Sequence, residues 1–182
     1  MSVDLKPAIV EGAYLMSISA RTAPKTRGID EVEIVLIENE KELNKLADKM
    51  EEIGKETERA FFVRDSNNVR RSQAVLLIGV KSSKPKGLNC GACGHGTCEE
   101  FEKAIKVQGR DFVGPMCAFQ LIDLGIAVGS AAKTASLLNI DNRIMFSIGA
   151  AALKLGLMEN SDFALGIPLS AYGKNIYFDR KM

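Results

Sequence analysis

The chain has 182 residues, a formal net charge of +1 and 46% hydrophobic residues, which suits one domain, or one domain with an insert, built on an ordinary apolar core. The near-zero charge excludes a general polyanion binder, and 6% aromatic residues without tryptophan argue against stacking platforms for single-stranded nucleic acid. Residues 1–6 lack the basic start and apolar run of a secretory leader, and the most apolar region, 118–138, is interrupted by Gln120, Asp123 and Lys133. A cytoplasmic protein with no membrane crossing is therefore expected. In that reducing compartment, clustered cysteines favour metal or redox chemistry over disulfides.

Residues 7–20 read as a helix through Ile9, Val10, Ala13, Tyr14, Met16 and Ile18, broken by Pro24 and Gly28. Residues 32–37 read as a strand. Residues 40–58 give the clearest amphipathic helix, with Leu43, Leu46, Met50 and Ile53 at three- or four-residue spacing, and a more polar helix follows over 60–70. Residues 73–81 hold an unbroken apolar run that fits a strand buried on both faces. A loop at 82–87 leads to the cysteines; the pattern then predicts a helix over 99–107 with Phe101, Ala104 and Ile105 inward, and a loop over 109–115. A long helix is expected over 118–138, where Gly125, Ala127, Gly129, Ser130, Ala131 and Ala132 permit close packing, then a helix over 144–157 and strands over 163–169 and 176–178. The whole chain, 1–182, reads as a single α+β domain in which 84–117 is a cysteine-rich insert.

All four cysteines lie in that insert, as Cys90-x2-Cys93-x4-Cys98-x18-Cys117. Thiolates bind soft metals and iron–sulfur clusters, and four of them meet the ligand count of a cubane. The interleaved glycines let the backbone wrap tightly and aim N–H groups at cluster sulfurs, and the amide-rich helix start after Cys98 adds to this. A structural zinc site is the alternative, but it favours two C-x2-C knuckles, and only one is present. His95, the one histidine, reads as a polar neighbour of the site. No residue stands out as a catalytic acid, base or nucleophile, so any chemistry falls to cofactors that the protein positions.

Residues 90–101 followed by Cys117 resemble the small iron–sulfur domain of corrinoid iron–sulfur proteins and of electron-transport complex B subunits, which carries C-x2-C-G-x3-C, a helix and a fourth cysteine around [4Fe–4S]. The last spacing is slightly longer here. Outside the insert, Ala20-Arg21-Thr22-Ala23-Pro24 is similar to the Arg-x-Ala-Pro phosphate corner of the flavin-dependent nitroreductase superfamily. Residues 123–129, with Ala131, Ala132, Leu137, Leu138 and Asn139, look like that superfamily's long central helix. Leu165-Gly166-Ile167-Pro168 and Arg180 resemble its final strand and phosphate contact. Lys25-Thr26-Arg27-Gly28-Ile29-Asp30 stands where Asn-x-Gln-Pro-Trp is usual. In combined order the chain resembles the prokaryotic ferredoxin domain-containing protein family over essentially its full length.

The resemblance implies an α+β fold, a nitroreductase-like mixed sheet flanked by helices, with the iron–sulfur segment inserted. It also implies a homodimer joined through the long helix, with FMN at the interface and Arg21, Thr22, Lys25 and Arg180 near its phosphate. Arginine forks match phosphate oxygens, although on residues alone Arg21, Lys25 and Arg27 equally describe a solvated loop. The expected function is that of a [4Fe–4S] redox protein transferring electrons to or from a partner protein, with FMN in a small reductase; if an enzyme, it is an oxidoreductase. The alternatives are a non-enzymatic binding or assembly module on a structural four-cysteine zinc site, and a flavin reductase whose insert is only structural.

Overall fold

The computed structural model describes residues 3–178, so Arg180 lies outside the described residues. Seven consecutive buried residues form β2 (Ala74–Val80). Alternation along this strand divides its side chains between two cores. Ala74, Leu76, Ile78 and Val80 pack with α1 (Lys6–Thr22) and α5 (Ala118–Leu137), while Val75 and Leu77 pack with α2 (Glu40–Glu56), α3 (Ala60–Arg70) and α6 (Phe146–Lys154). The unbroken apolar run follows from this placement, because helices cover both faces of the sheet.

The strand order is β1-β2-β6-β5, with β1 (Val32–Ile37), β6 (Phe163–Ser170) and the short β5 (Asp141–Asn142). The expected α+β sheet flanked by helices is present. Within it, a mixed sheet is expected, yet each described pairing is antiparallel. For β1 and β2 the connection gives the reason: two helices, α2 and α3, join them, so the chain reverses once more than in a single-helix crossover.

Local chemistry sets the ends of the helices. Asn39 caps α2 by accepting from the Lys41 amide at 2.8 Å, and Glu40 and Glu42 occupy its first turn, where the helix dipole favours them. Proline in the first turn suits the start of α1. Its last carbonyls are met by Lys25, whose ammonium donates to Ala20, Arg21 and Ala23 at 2.8, 2.7 and 2.7 Å.

Three expected elements differ. The helix predicted over 99–107 closes after six residues as α4 (Cys98–Lys103), so Phe101 is buried but Ile105 is 84% exposed. The helix predicted from 144 begins at Phe146, because Met145 exchanges backbone hydrogen bonds with Gly166 at 2.8 and 3.0 Å. Residues 176–178 form no strand. The Tyr177 amide donates to Asn175 Oδ1 and its carbonyl accepts from Arg143, so side chains take the groups a ladder would use. Among the described residues, no helix is long and apolar enough to cross a membrane.

Helix α6 lies against β6 without room for a side chain at the contact. A Cβ at Gly149 would stand 1.8 Å from the Ala164 carbonyl oxygen, and one at Gly166 would stand 2.1 Å from Ile148 Cγ2. Gly149→Ala is therefore expected to destabilise by about 1–3 kcal/mol or more, since backbone must yield; thermal unfolding of the variant against the parent measures it.

Candidate metal centre

The chain leaves the sheet after β2 and returns at the start of α5. The two ends of this excursion meet where the Cys117 amide donates to the Ser82 carbonyl at 2.8 Å. The Asp162 carboxylate holds the outgoing end, accepting from the Ser82 amide, from Ser82 Oγ at 2.6 Å and from the Ser83 amide at 3.0 Å. Beyond α4 the insert forms a minimal hairpin of β3 (Val107–Gln108) and β4 (Val113–Gly114). Its loop is fastened to the body by a two-pronged Arg59–Asp111 pair at 2.6 and 2.8 Å and by Phe112 against Phe163 with ring centroids 4.3 Å apart. The Arg59 hydrogen bonds hold the Asp111 carboxyl below its ordinary range against the opposing effect of burial.

Cys90, Cys93, Cys98 and Cys117 line one narrow recess, together with Lys86, Asn89 and His95. Asn89 is in the left-handed region (φ +49°), and it pairs reciprocally with Cys98: its amide donates to the Cys98 sulfur at 3.3 Å, and its side-chain oxygen accepts from the Cys98 amide at 2.8 Å. Gly91 (φ +72°) and Gly94 (φ +88°) each follow a cysteine, and the Gly94 amide donates to the Gly91 carbonyl at 3.0 Å. A side chain at either position would be strained, so the tight wrap between Cys90 and Cys98 requires glycine there. Thr97 and Glu100 form a capping box that starts α4 at Cys98. Cys117 is the N-cap residue of the twenty-residue α5, so the positive end of that helix meets the recess.

The thiols differ in depth. Cys117 is buried, Cys93 and Cys98 are half-buried, and Cys90 is exposed. Among the described residues, no three His, Cys, Asp or Glu side chains are grouped so as to hold a single metal ion. Four thiols around one recess, with a backbone N–H already on one sulfur, form a donor set that fits a polynuclear iron–sulfur group. His95 stands edge-on to Phe101 with centroids 5.8 Å apart, and the Lys106 ammonium covers the same ring at 3.6 Å from its centroid.

Sequence reasoning missed a buried ionic network behind the recess. The Lys86 ammonium lies 3.1 Å from Glu31 Oε2, 3.1 Å from Asp123 Oδ2 and 3.0 Å from the Ile29 carbonyl. Asp123 Oδ1 accepts from the Thr26 amide at 2.9 Å and its hydroxyl at 2.7 Å. Glu31 also meets Lys84 at 2.5 Å and the Gln120 amide at 2.8 Å. Burial alone would raise the Glu31 carboxyl, but hydrogen bonds from Lys84, Gln120 and Lys86 outweigh it and bring it down to about 2. The available signal was the pair of polar residues, Gln120 and Asp123, interrupting an apolar helix.

Of the residues assigned to a flavin phosphate, Arg21 and Lys25 approach the same carboxylate, Asp30, at 2.6 and 3.8 Å. Arg21 and Thr22 line a shallow hollow with Tyr14, Ile18 and Leu36. Half of the Arg21 side chain is exposed, and its guanidinium pairs with Asp30 at 2.6 Å and donates to the Val32 carbonyl at 2.7 Å. The Thr22 hydroxyl donates to the Ile18 carbonyl at 2.9 Å. Lys25 turns inward to cap α1, with its side chain 3% exposed, and burial pulls its amine below the ordinary lysine range.

This layered sheet is shared with flavoproteins of the nitroreductase type. A BluB-like flavoprotein from Clostridium difficile matches at a TM-score of 0.62 with 17% identity, over 100% of this chain and 87% of that one. A protein described as "a putative nitroreductase in complex with FMN", from Desulfovibrio desulfuricans, matches at 0.58 with 13% identity, over 94% and 79% of the two chains. Other proteins of this fold are longer, and this chain spans 58% and 61% of two of them. The fold is therefore nitroreductase-like, with an iron–sulfur segment: residues 86–111 match the family described as "Putative Fe-S cluster". The chain belongs to the family described as "Uncharacterized protein containing a ferredoxin domain (DUF2148)", whose model matches residues 113–180. A relative from Archaeoglobus fulgidus, described only as an uncharacterized protein, is 53% identical over 92% of this chain and 89% of its own length.

The depressed Glu31 carboxyl gives a signed pH dependence. A carboxyl lowered on folding contributes stability that is complete above its ordinary value of 4.5 and is lost as pH falls toward about 2. The stability of the parent over Glu31→Gln is expected to be constant above about pH 5 and to shrink across that window by on the order of 2–3 kcal/mol. Urea unfolding of both proteins at stepped pH checks it.

Proposed function

We propose that this protein is an iron–sulfur redox protein in which Cys90, Cys93, Cys98 and Cys117 hold a [4Fe–4S] cluster that serves electron transfer. The observation that carries the reading is the convergence of four thiols, from one wrapped turn and two helix starts, on one recess. Tetrahedral zinc at Zn–S distances of about 2.3 Å draws four sulfurs onto a single ion. Here one Cys-x2-Cys knuckle is followed by two separately spaced cysteines, which departs from the two-knuckle pattern of structural zinc, and four thiolates meet the ligand count of a cubane. A bound cluster would supply one-electron chemistry. The protein holds the thiolates, directs the Asn89 N–H at the Cys98 sulfur and keeps Cys117 out of water. The exposed edge at Cys90 is the side from which a partner protein would exchange electrons.

In this reading the chain is one domain carrying an insert over 84–117, active in the cytoplasm as a homodimer joined through α5. Ile122 and Ile126 are 48% and 40% exposed on that helix, and space above Gly125 and Gly129 is open, which suits close approach of a second copy. FMN would sit at that interface near the half-exposed Arg21 and near Thr22, with Arg180 as a further phosphate contact. Lys25 would act on it indirectly, by fixing the end of α1. The pair of cofactors would make the protein a small reductase.

Anaerobic iron and sulfide reconstitution is expected to give about four iron and four sulfide per chain with a broad visible band. Cys98→Ala should lose the band. About one zinc per chain without acid-labile sulfide would overturn the cluster. Flavin titration followed by fluorescence is expected to show FMN binding that Arg21→Ala weakens about tenfold, the loss of one charged hydrogen bond. Equal affinity in the two proteins would remove Arg21 from the site.

A further inference from the structure

We infer that Lys86 is a positioning residue for the cysteine centre: its buried ammonium fastens the loop leading to Cys90 and Cys93 onto α5 and onto the segment before β1. Its side chain is 2% exposed, and its three acceptors come from separate places, Glu31 and Ile29 ahead of β1 and Asp123 on α5. The Ile29 carbonyl accepts a hydrogen bond, and the two carboxylates are met as ion pairs, so that among the described residues Asp123 Oδ2 has the Lys86 charge beside it but no hydrogen-bond donor. The Lys86 carbonyl accepts from Arg27 at 3.1 Å, and the same guanidinium covers Gly87, where a Cβ would stand 2.8 Å from Arg27 Nη1. Two residues further on, Asn89 pairs with Cys98. Lys86 itself lines the recess beside all four cysteines.

Charge balance alone does not account for this arrangement. A buried ion triad is costly, and well-packed apolar residues in its place are often as stable or more so. Glu31 already has a second cation in Lys84 and a donor in Gln120. What Lys86 adds is a rigid tie between the loop and two parts of the body, and the direction of that tie determines where the Cys90 turn sits over Cys117.

The test uses the full chain as parent, as K86M and as the neutral triple variant K86M/E31Q/D123N. K86M alone leaves two carboxylates without their shared cation and is expected to lower the unfolding midpoint of the reduced, metal-free protein. The triple variant is expected to recover that midpoint, while Cys117 in it is alkylated by iodoacetamide about tenfold faster than in the parent, the effect of losing one charged tie. After reconstitution its cluster should show a midpoint potential displaced by about 59 mV or more, a tenfold change for a one-electron couple. Asp123→Asn alone keeps the Thr26 hydrogen bonds at Oδ1 and should also speed alkylation of Cys117. A triple variant with parental alkylation and parental potential would overturn the inference, as would unchanged alkylation in Asp123→Asn. The potential arm rests on the [4Fe–4S] reading. The alkylation arm does not, so a parent protein that takes up no iron or sulfide would sink the cluster and still decide the role of Lys86.

Discussion

One backbone hydrogen bond, from the Cys117 amide to the Ser82 carbonyl, fixes the geometry of the insert. It joins the end of a strand buried on both faces to the start of a twenty-residue helix, and both of those elements are set by the two cores rather than by the insert. Ser82 and Cys117 are themselves buried, so water does not compete for the bond. With the ends already held together, the entropy of closing the excursion is met by packing elsewhere. This matters because the insert has little with which to fold alone: a six-residue helix, a hairpin of two-residue strands and Phe101 as its fully buried aromatic. Segments of this size generally need a metal, a disulfide or a host to be stable. Here the host is visible, in the Arg59–Asp111 pair and the Phe112–Phe163 contact.

The neck also explains why the four thiols are not equivalent. Cys117 belongs to the rigid body, because it begins α5, while Cys90 and Cys93 lie on a turn whose shape depends on left-handed backbone at Asn89, Gly91 and Gly94. Cys98 lies between, held by the capping box of α4 and by Asn89. The centre is thus assembled from one fixed wall and one wrapped strip. Negative charge gathered there would meet the N-terminal end of α5 and backbone N–H groups, which are fixed dipoles that need no reorganisation as charge changes.

What the sequence made legible tracks how local the deciding physics is. The run at 74–80 announced β2 because helices bury both its faces, and Leu43, Leu46, Met50 and Ile53 announced α2 because one face meets one core. The cysteine motif was readable for the same reason, since three of the four cysteines lining the recess lie within a few turns of backbone. Ile105 misled because the helix ends at Ala104 in an extended conformation, after which Lys106 folds back onto the Phe101 carbonyl and ring. Lys25 was read as a phosphate contact, and its charge gave no sign that three carbonyls of its own helix end would claim it. Lys86 was legible only as part of a loop, because its partners Glu31 and Asp123 are distant in the chain and meet it only once the sheet and α5 are in place.

That network bears on how the two halves of the molecule act on each other. Thr26 follows the corner at the end of α1 and donates twice to Asp123; Asp123 faces Lys86; and Lys86 lines the cysteine recess. The corner and the recess are therefore joined through three buried or half-buried side chains, with no flexible linker between them. A displacement at the recess would have to stretch charged hydrogen bonds in a water-poor setting, where their loss is expensive, before it left the corner unmoved. The insert is consequently held in register with the nitroreductase-like body at two places with different physics: a backbone hydrogen bond at the neck, which sets position, and an ionic cluster at Lys86, which sets orientation.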